Sequence, residues 1–164
     1  MMGTWRHRTR VEPPHASPSV GAVFANLAAR SVEAMHPSHA LTAILPCNDL
    51  DASEAFYNRL GFTRPDIEKP AAGTDDAYRI LSDGKGGSLH LTDAVEGWLI
   101  PGRNPFALYL YTEDVDALAA EFAGELVEKN GPENKPWGMY EFSLSDPDET
   151  LVRVGWPSRL RPPR

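Results

Sequence analysis

The sequence predicts an α+β fold: two tandem βαβββ modules whose strands form a large curved mixed sheet around a cleft, with the helices outside. Three observations carry this expectation. The chain repeats itself at a constant offset of 65 residues, so that Asp49 matches Asp114, Asp51 matches Asp116, Ala52 matches Ala117 and Ala55 matches Ala120. Each copy opens with an alternating apolar run, passes an acidic junction and enters a helical period. Turn-forming clusters, "DGKGG" from Asp83 and "DPDE" from Asp146, then separate strand-like stretches.

The elements follow in order. Residues 1–36 are rich in Pro, Ser and Arg and lack a period, which predicts a flexible N-terminal extension or a start assigned upstream of Met35. A single domain is expected over 37–160, with modules at about 40–95 and 104–157 and a short tail at 161–164. In the first module a strand precedes Asp51, which with Glu54 three residues later reads as a capping box. Gly61 supplies the left-handed residue that ends the helix. The strands "AYRILS" and "SLHLTD" flank the glycine-rich turn, and another strand is hard to place around "TRPDIEKP". The second module reads as "FALYLY", a helix, then "ELVEK", "MYEFSLS" and "TLVRVGW".

Composition limits the partners. At 41% hydrophobic and 24% charged, 164 residues suit one globular domain. The single cysteine, Cys47, excludes an intramolecular disulfide and a cysteine-cluster metal site, and fits a reducing cytoplasm. No apolar run approaches the roughly 20 residues that cross a bilayer. The net charge of −7 falls on the body, because residues 1–35 carry four arginines against two glutamates. An acidic body disfavours nucleic acid and anionic membranes and draws cationic ligands. Phosphate-binding glycine loops, His-Glu-x-x-His and Gly-x-Ser-x-Gly are absent from the sequence.

Strand parity sorts the remaining polar and aromatic residues. Val152 and Val154 share one face of their strand, which leaves Arg153 on the other. Phe142 and Leu144 likewise put Glu141 and Ser143 on Arg153's side, where Glu141 and Arg153 can pair across strands. Leu89 and Leu91 oppose His90, and Leu108 and Leu110 oppose Ala107, Tyr109 and Tyr111. Trp98, in the loop between modules, and Trp137 add flat surfaces for a planar or cationic molecule. Asp93 and Glu96 add negative potential.

The doubled pattern, "NDLDASEAFYNRLGF" and "PWGMYEFSLSDPDETLVRVG" together resemble the glyoxalase/bleomycin-resistance/extradiol-dioxygenase superfamily over about Leu41 to Trp156. Pro-Trp-Gly, Glu-Phe and Asp-Pro-Asp are most similar to its bleomycin-resistance branch; Glu149 stands where that family's turn has glycine. The resemblance puts Thr42, His90, Ala107 and Arg153 at the places where the superfamily's enzymes hold a divalent metal. Only His90 is an ordinary ligand, whereas a catalytic zinc takes about three, and a guanidinium repels a cation. No metal, cofactor or catalytic residue is therefore expected.

What the resemblance implies is a homodimer that sequesters an aromatic or cationic molecule, such as a glycopeptide antibiotic, in a cleft. Thr42, His90, Trp98, Tyr109, Tyr111, Trp137, Glu141 and Arg153 are the expected ligand-binding residues. Two other readings stay open. One is a divergent lyase or dioxygenase with a metal held by His90, Glu141 and a group from the partner chain; the other is a non-catalytic interaction module.

Overall fold

Alternation and turn chemistry act first on the backbone. In the computed structural model, which describes residues 40–65 and 76–162, they give strand β1 (Ala43–Cys47), helix α1 (Leu50–Arg59), and strands β2 (Tyr78–Ser82) and β3 (Ser88–Asp93). The second module follows as β4 (Ala107–Tyr111), α2 (Val115–Glu121), β5 (Glu133–Asn134), β6 (Met139–Ser145) and β7 (Leu151–Pro157), with a 3-10 turn at Ser158–Leu160. The expected extension at 1–36 and most of "TRPDIEKP" lie outside the described residues, although Thr63 bridges Ser82.

Two mixed ladders result, ordered β1-β3-β2 and β4-β7-β6-β5. In each module the first strand runs parallel to the last, and the last pairs antiparallel with its predecessor. The duplication seen in the letters is thus a duplication of topology. The strands are divided between two ladders rather than joined in one large sheet among the described residues.

Two local expectations need correction. The α1 cap is Asp49, not Asp51: its carboxylate accepts from the Asp51 and Ala52 amides, both at 3.0 Å. Asp51 and Glu54 instead hold the Arg79 guanidinium, at 2.7 and 2.8 Å. Asp114, the repeat-mate of Asp49, makes no side-chain cap on α2 and pairs with Lys85 of the first module at 3.3 Å. "ELVEK" is not a strand either. The Val127 amide still reaches the Ser143 carbonyl, but the Glu128 carboxylate takes the Ser143 amide at 2.6 Å, where a neighbouring strand would offer a backbone carbonyl. Pairing with β6 is resumed only by the two-residue β5. The turn carrying Glu149 has φ of +64°, the left-handed region that glycine enters without cost, and the β6–β7 hairpin nevertheless forms.

The core lies between the ladders and the helices. Tyr57, Phe122, Phe142, Leu81, Leu91 and Leu144 are buried, with Phe56 against Phe122 across the two helices at 5.4 Å. A polar tie also crosses the modules. Asp146 accepts from the Tyr57 hydroxyl (2.8 Å) and from the Asp148 and Thr150 amides (3.0 and 2.7 Å). Asp148 accepts from the Asn48 side chain at 2.8 Å and from its amide at 3.2 Å. The β6–β7 turn is therefore fastened to the entrance of α1, where the helix dipole favours negative charge.

Cys47 sits beneath this tie, 2% exposed, and burial pushes its thiol up to about 11, with Asp148 and Asp146 adding to the rise. Burial raises the Tyr57 hydroxyl as well, helped by Asp146. Both groups hold their protons more tightly folded than unfolded, so their contribution is full below the unfolded values and is lost as pH rises above them. Stability is expected to fall from about pH 9 upward, by up to ~3 kcal/mol from the thiol alone. Urea melts at pH 7, 9 and 10.5, with and without Cys47→Ala, check this; a flat profile would contradict it. In the folded state the thiol should resist aromatic disulfide reagents at pH 8.

Candidate functional site

The free face of the second sheet is built around one buried acid. On β6, Phe142 and Leu144 enter the core, and the intervening parity aims Glu141 at the opposite side, yet Glu141 is only 1% exposed. What covers it comes from neighbouring elements. The Tyr109 hydroxyl on β4 donates to Oε2 at 2.5 Å, the Trp137 indole N–H approaches the same oxygen at 3.4 Å, and Arg153 on β7 lies 3.5 Å from Oε1. A buried carboxylate is costly unless paired and hydrogen-bonded, and this one has a short donor and a cation. Burial and the Glu141 hydrogen bond raise the Tyr109 pKa, so the hydroxyl stays protonated as a donor.

Gly155 makes this packing possible. It faces Glu141 in the β6–β7 register and Tyr111 in the β4–β7 register. A Cβ at that position would stand 2.4 Å from the Tyr109 hydroxyl and 2.8 Å from the Glu141 Cβ. The bare backbone lets the phenol reach the carboxylate. Tyr111 continues the surface, its ring 4.5 Å from that of Tyr109 and tilted by 34°. The Arg153 guanidinium lies 6.0 Å from the Trp137 ring centre, and its side chain is 42% exposed. A cavity of about 590 Å³ opens beside the tyrosines, lined by the outer strands β1 and β4, one from each ladder, through Ala43, Leu108, Leu110 and their neighbours.

The structure thus gathers Tyr109, Tyr111, Trp137, Glu141 and Arg153 on one surface. Thr42 and His90 belong to the first module. His90 is on the free face of β3, in register with Ile44 and Ile80, and its Nδ1 lies 2.7 Å from the Tyr78 hydroxyl. Trp98 stands in the loop between modules, 70% exposed, close behind the exposed Glu96. Sequence reasoning did not single out Tyr78 or Gly155. Tyr78 shares His90's parity across the β2–β3 hairpin, a signal available in the letters; the demand for a missing Cβ at 155 is visible only with Tyr109 in place.

The positions that the resemblance assigns to a divalent metal carry few donors. Ala107 offers no donor atom, Arg153 is a cation, and His90 Nδ1 is engaged by Tyr78. Among the described residues no group of three or more His, Cys, Asp or Glu side chains could hold a metal ion.

Comparison with known proteins agrees with this architecture. One solved structure, a bleomycin-binding protein complexed with bleomycin, is 28% identical, with a TM-score of 0.56 over 73% of this chain and 98% of that one. A bleomycin resistance determinant encoded on the transposon Tn5 is 27% identical, with a TM-score of 0.55 over 73% and 98% of the two chains. TnmS3, an antibiotic-binding protein from Streptomyces sp. CB03234, is 29% identical, with a TM-score of 0.54 over 76% and 99%. No curated protein matches the chain. The family model of the Glyoxalase/Bleomycin resistance protein/Dioxygenase superfamily matches residues 36–154, and the chain belongs to that superfamily.

Proposed function

We propose that the protein sequesters a small aromatic molecule without transforming it, on the face formed by Tyr109, Tyr111, Trp137, Glu141 and Arg153. The observation that carries this reading is the finished floor of that face: a buried carboxylate already satisfied by protein donors, topped by a tyrosine pair and an indole. Such a surface offers stacking and directed hydrogen bonds, while the metal corners offer one imidazole and no anionic ligand. That relatives of 27–29% identity are described as binding bleomycin or an antibiotic supports a ligand of that kind.

The same reading includes a homodimer in the cytoplasm. Among the described residues strands β1, β4 and β5 leave sheet edges open, and Ile44 and Tyr78 are exposed on the free face of the first sheet, a surface suited to a second copy. No described helix is long and apolar enough to cross a membrane.

The test is a titration of tryptophan fluorescence with bleomycin and a panel of planar aromatic compounds, with sedimentation to follow assembly. Saturable quenching, recovery of the compound unchanged in mass, and indifference to chelator are expected. Tyr109→Ala should weaken binding about tenfold or more, the order of one stacked aromatic contact. Turnover abolished by chelator would sink the proposal.

A further inference from the structure

The charge arrangement of this face says more about its ligand, on the condition that the aromatic-binding reading holds. The carboxylate of Glu141 is at the bottom, 1% exposed, and both oxygens face protein donors. The guanidinium of Arg153 is above it, on a side chain that is 42% exposed. Its contact with Glu141 uses one terminal nitrogen, at the outer limit of hydrogen-bond length, and its contact with Trp137 is through the ring face. Most of the five N–H donors of the guanidinium fork therefore remain for something arriving from solvent.

The other acids of this face are engaged as well. Glu133, opposite Glu141 in the β5–β6 register, pairs with Lys135 at 2.5 Å. Glu128 is held by the Ser143 amide and hydroxyl and lies 3.5 Å from the same lysine. Glu133 is 54% exposed but neutralised by Lys135. Arg153 stands directly opposite Tyr109 in the β4–β7 register with the buried Glu141 behind it, so a ligand on the tyrosine pair has the Arg153 cation as its nearest exposed charge. Coulomb attraction falls with distance, so the nearer charge sets the sign.

We propose that the ligand of this face is an aromatic acid: a flat ring that stacks on Tyr109 and Tyr111 and carries a carboxylate, sulfonate or phosphate for bidentate hydrogen bonding to Arg153. This reverses the preference for cations that the acidic body charge suggests, because directed donors at contact distance outweigh a diffuse, salt-screened field.

Three anthracenes that differ only in one group test this: anthracene-9-carboxylate, 9-anthracenemethanol and 9-(aminomethyl)anthracene, each titrated calorimetrically against the full chain. The carboxylate should bind about tenfold tighter than the alcohol, with the ammonium weakest, and its advantage should shrink as salt is raised. Arg153→Gln should bring the three together. Glu141→Gln, which keeps an acceptor for Tyr109 but removes the charge next to the guanidinium, should tighten the carboxylate severalfold. The second variant keeps the test decisive if the first does not fold. Equal affinities, a preference for the ammonium, or no gain in Glu141→Gln would overturn the inference while leaving aromatic binding intact. Failure of all three anthracenes to bind would overturn both.

Discussion

Replacing Asp146 with alanine is expected to cost about 3–5 kcal/mol, the range for removing one partner from a buried charged network. The substitution strips an acceptor from three donors at once: the Tyr57 hydroxyl and the Asp148 and Thr150 amides. Tyr57 is 1% exposed, so its hydroxyl has no ready access to water. The turn that loses its internal bonds is also the one that carries Asp148 to Asn48 and Ser53, so the damage spreads from one module to the other. In a domain of this size the loss corresponds to a melting point lower by about 10 °C or more. Asp146→Asn retains one acceptor oxygen for the two amides and should cost less than half as much. Urea denaturation of the three proteins decides it; a loss under about 1 kcal/mol in the alanine variant would show that the tie is ornamental.

Gly155→Val should remove ligand binding and lower stability together. Its Cβ would arrive 2.4 Å from the Tyr109 hydroxyl and 2.8 Å from the Glu141 Cβ. The phenol can swing aside, but doing so takes the shortest donor from a carboxylate that is 1% exposed. Overpacking of this sort costs about 1–3 kcal/mol, to which the unpaired carboxylate adds. A cycle of Gly155→Ala, Tyr109→Phe and the double variant separates the parts. Removing the hydroxyl relieves the closest contact, so the pair should be less destabilised than the sum of the singles by roughly 1 kcal/mol. Strict additivity would mean that the phenol does not cross Gly155 as described.

How much of this the letters disclose depends on the range of the interaction. Parity is local, and it placed Arg153, Glu141, Tyr109 and His90 on the faces where the ladders carry them. Turn chemistry is local too, and the ends of β3 and β6 follow from it. The expected Glu141–Arg153 pair exists, although on the diagonal: Arg153 stands opposite Ser143, and Glu141 opposite Gly155. Long-range matters were hidden. That "DPDE" fastens onto Asn48 and Tyr57 depends on residues about a hundred positions apart meeting in space. "ELVEK" has a strand's apolar and charged composition, and only the reach of Glu128 to the Ser143 amide shows why the ladder passes it by. The cap was misplaced by two residues because both Asp49 and Asp51 are competent capping residues, and Arg79, which claims Asp51, is remote in sequence.

Asp49 and Asp114 hold equivalent positions in the two modules and do unequal work. In the first module the aspartate stays on the amides of its own helix's first turn. The second aspartate makes no side-chain cap and instead meets Lys85 of the first module across the gap. The first turn of its helix instead has the Tyr140 hydroxyl and Arg161, from later in the same module, converging on Asp116. Equivalent positions in a doubled protein thus share topology without sharing contacts, and which twin caps its own helix has to be read from the fold.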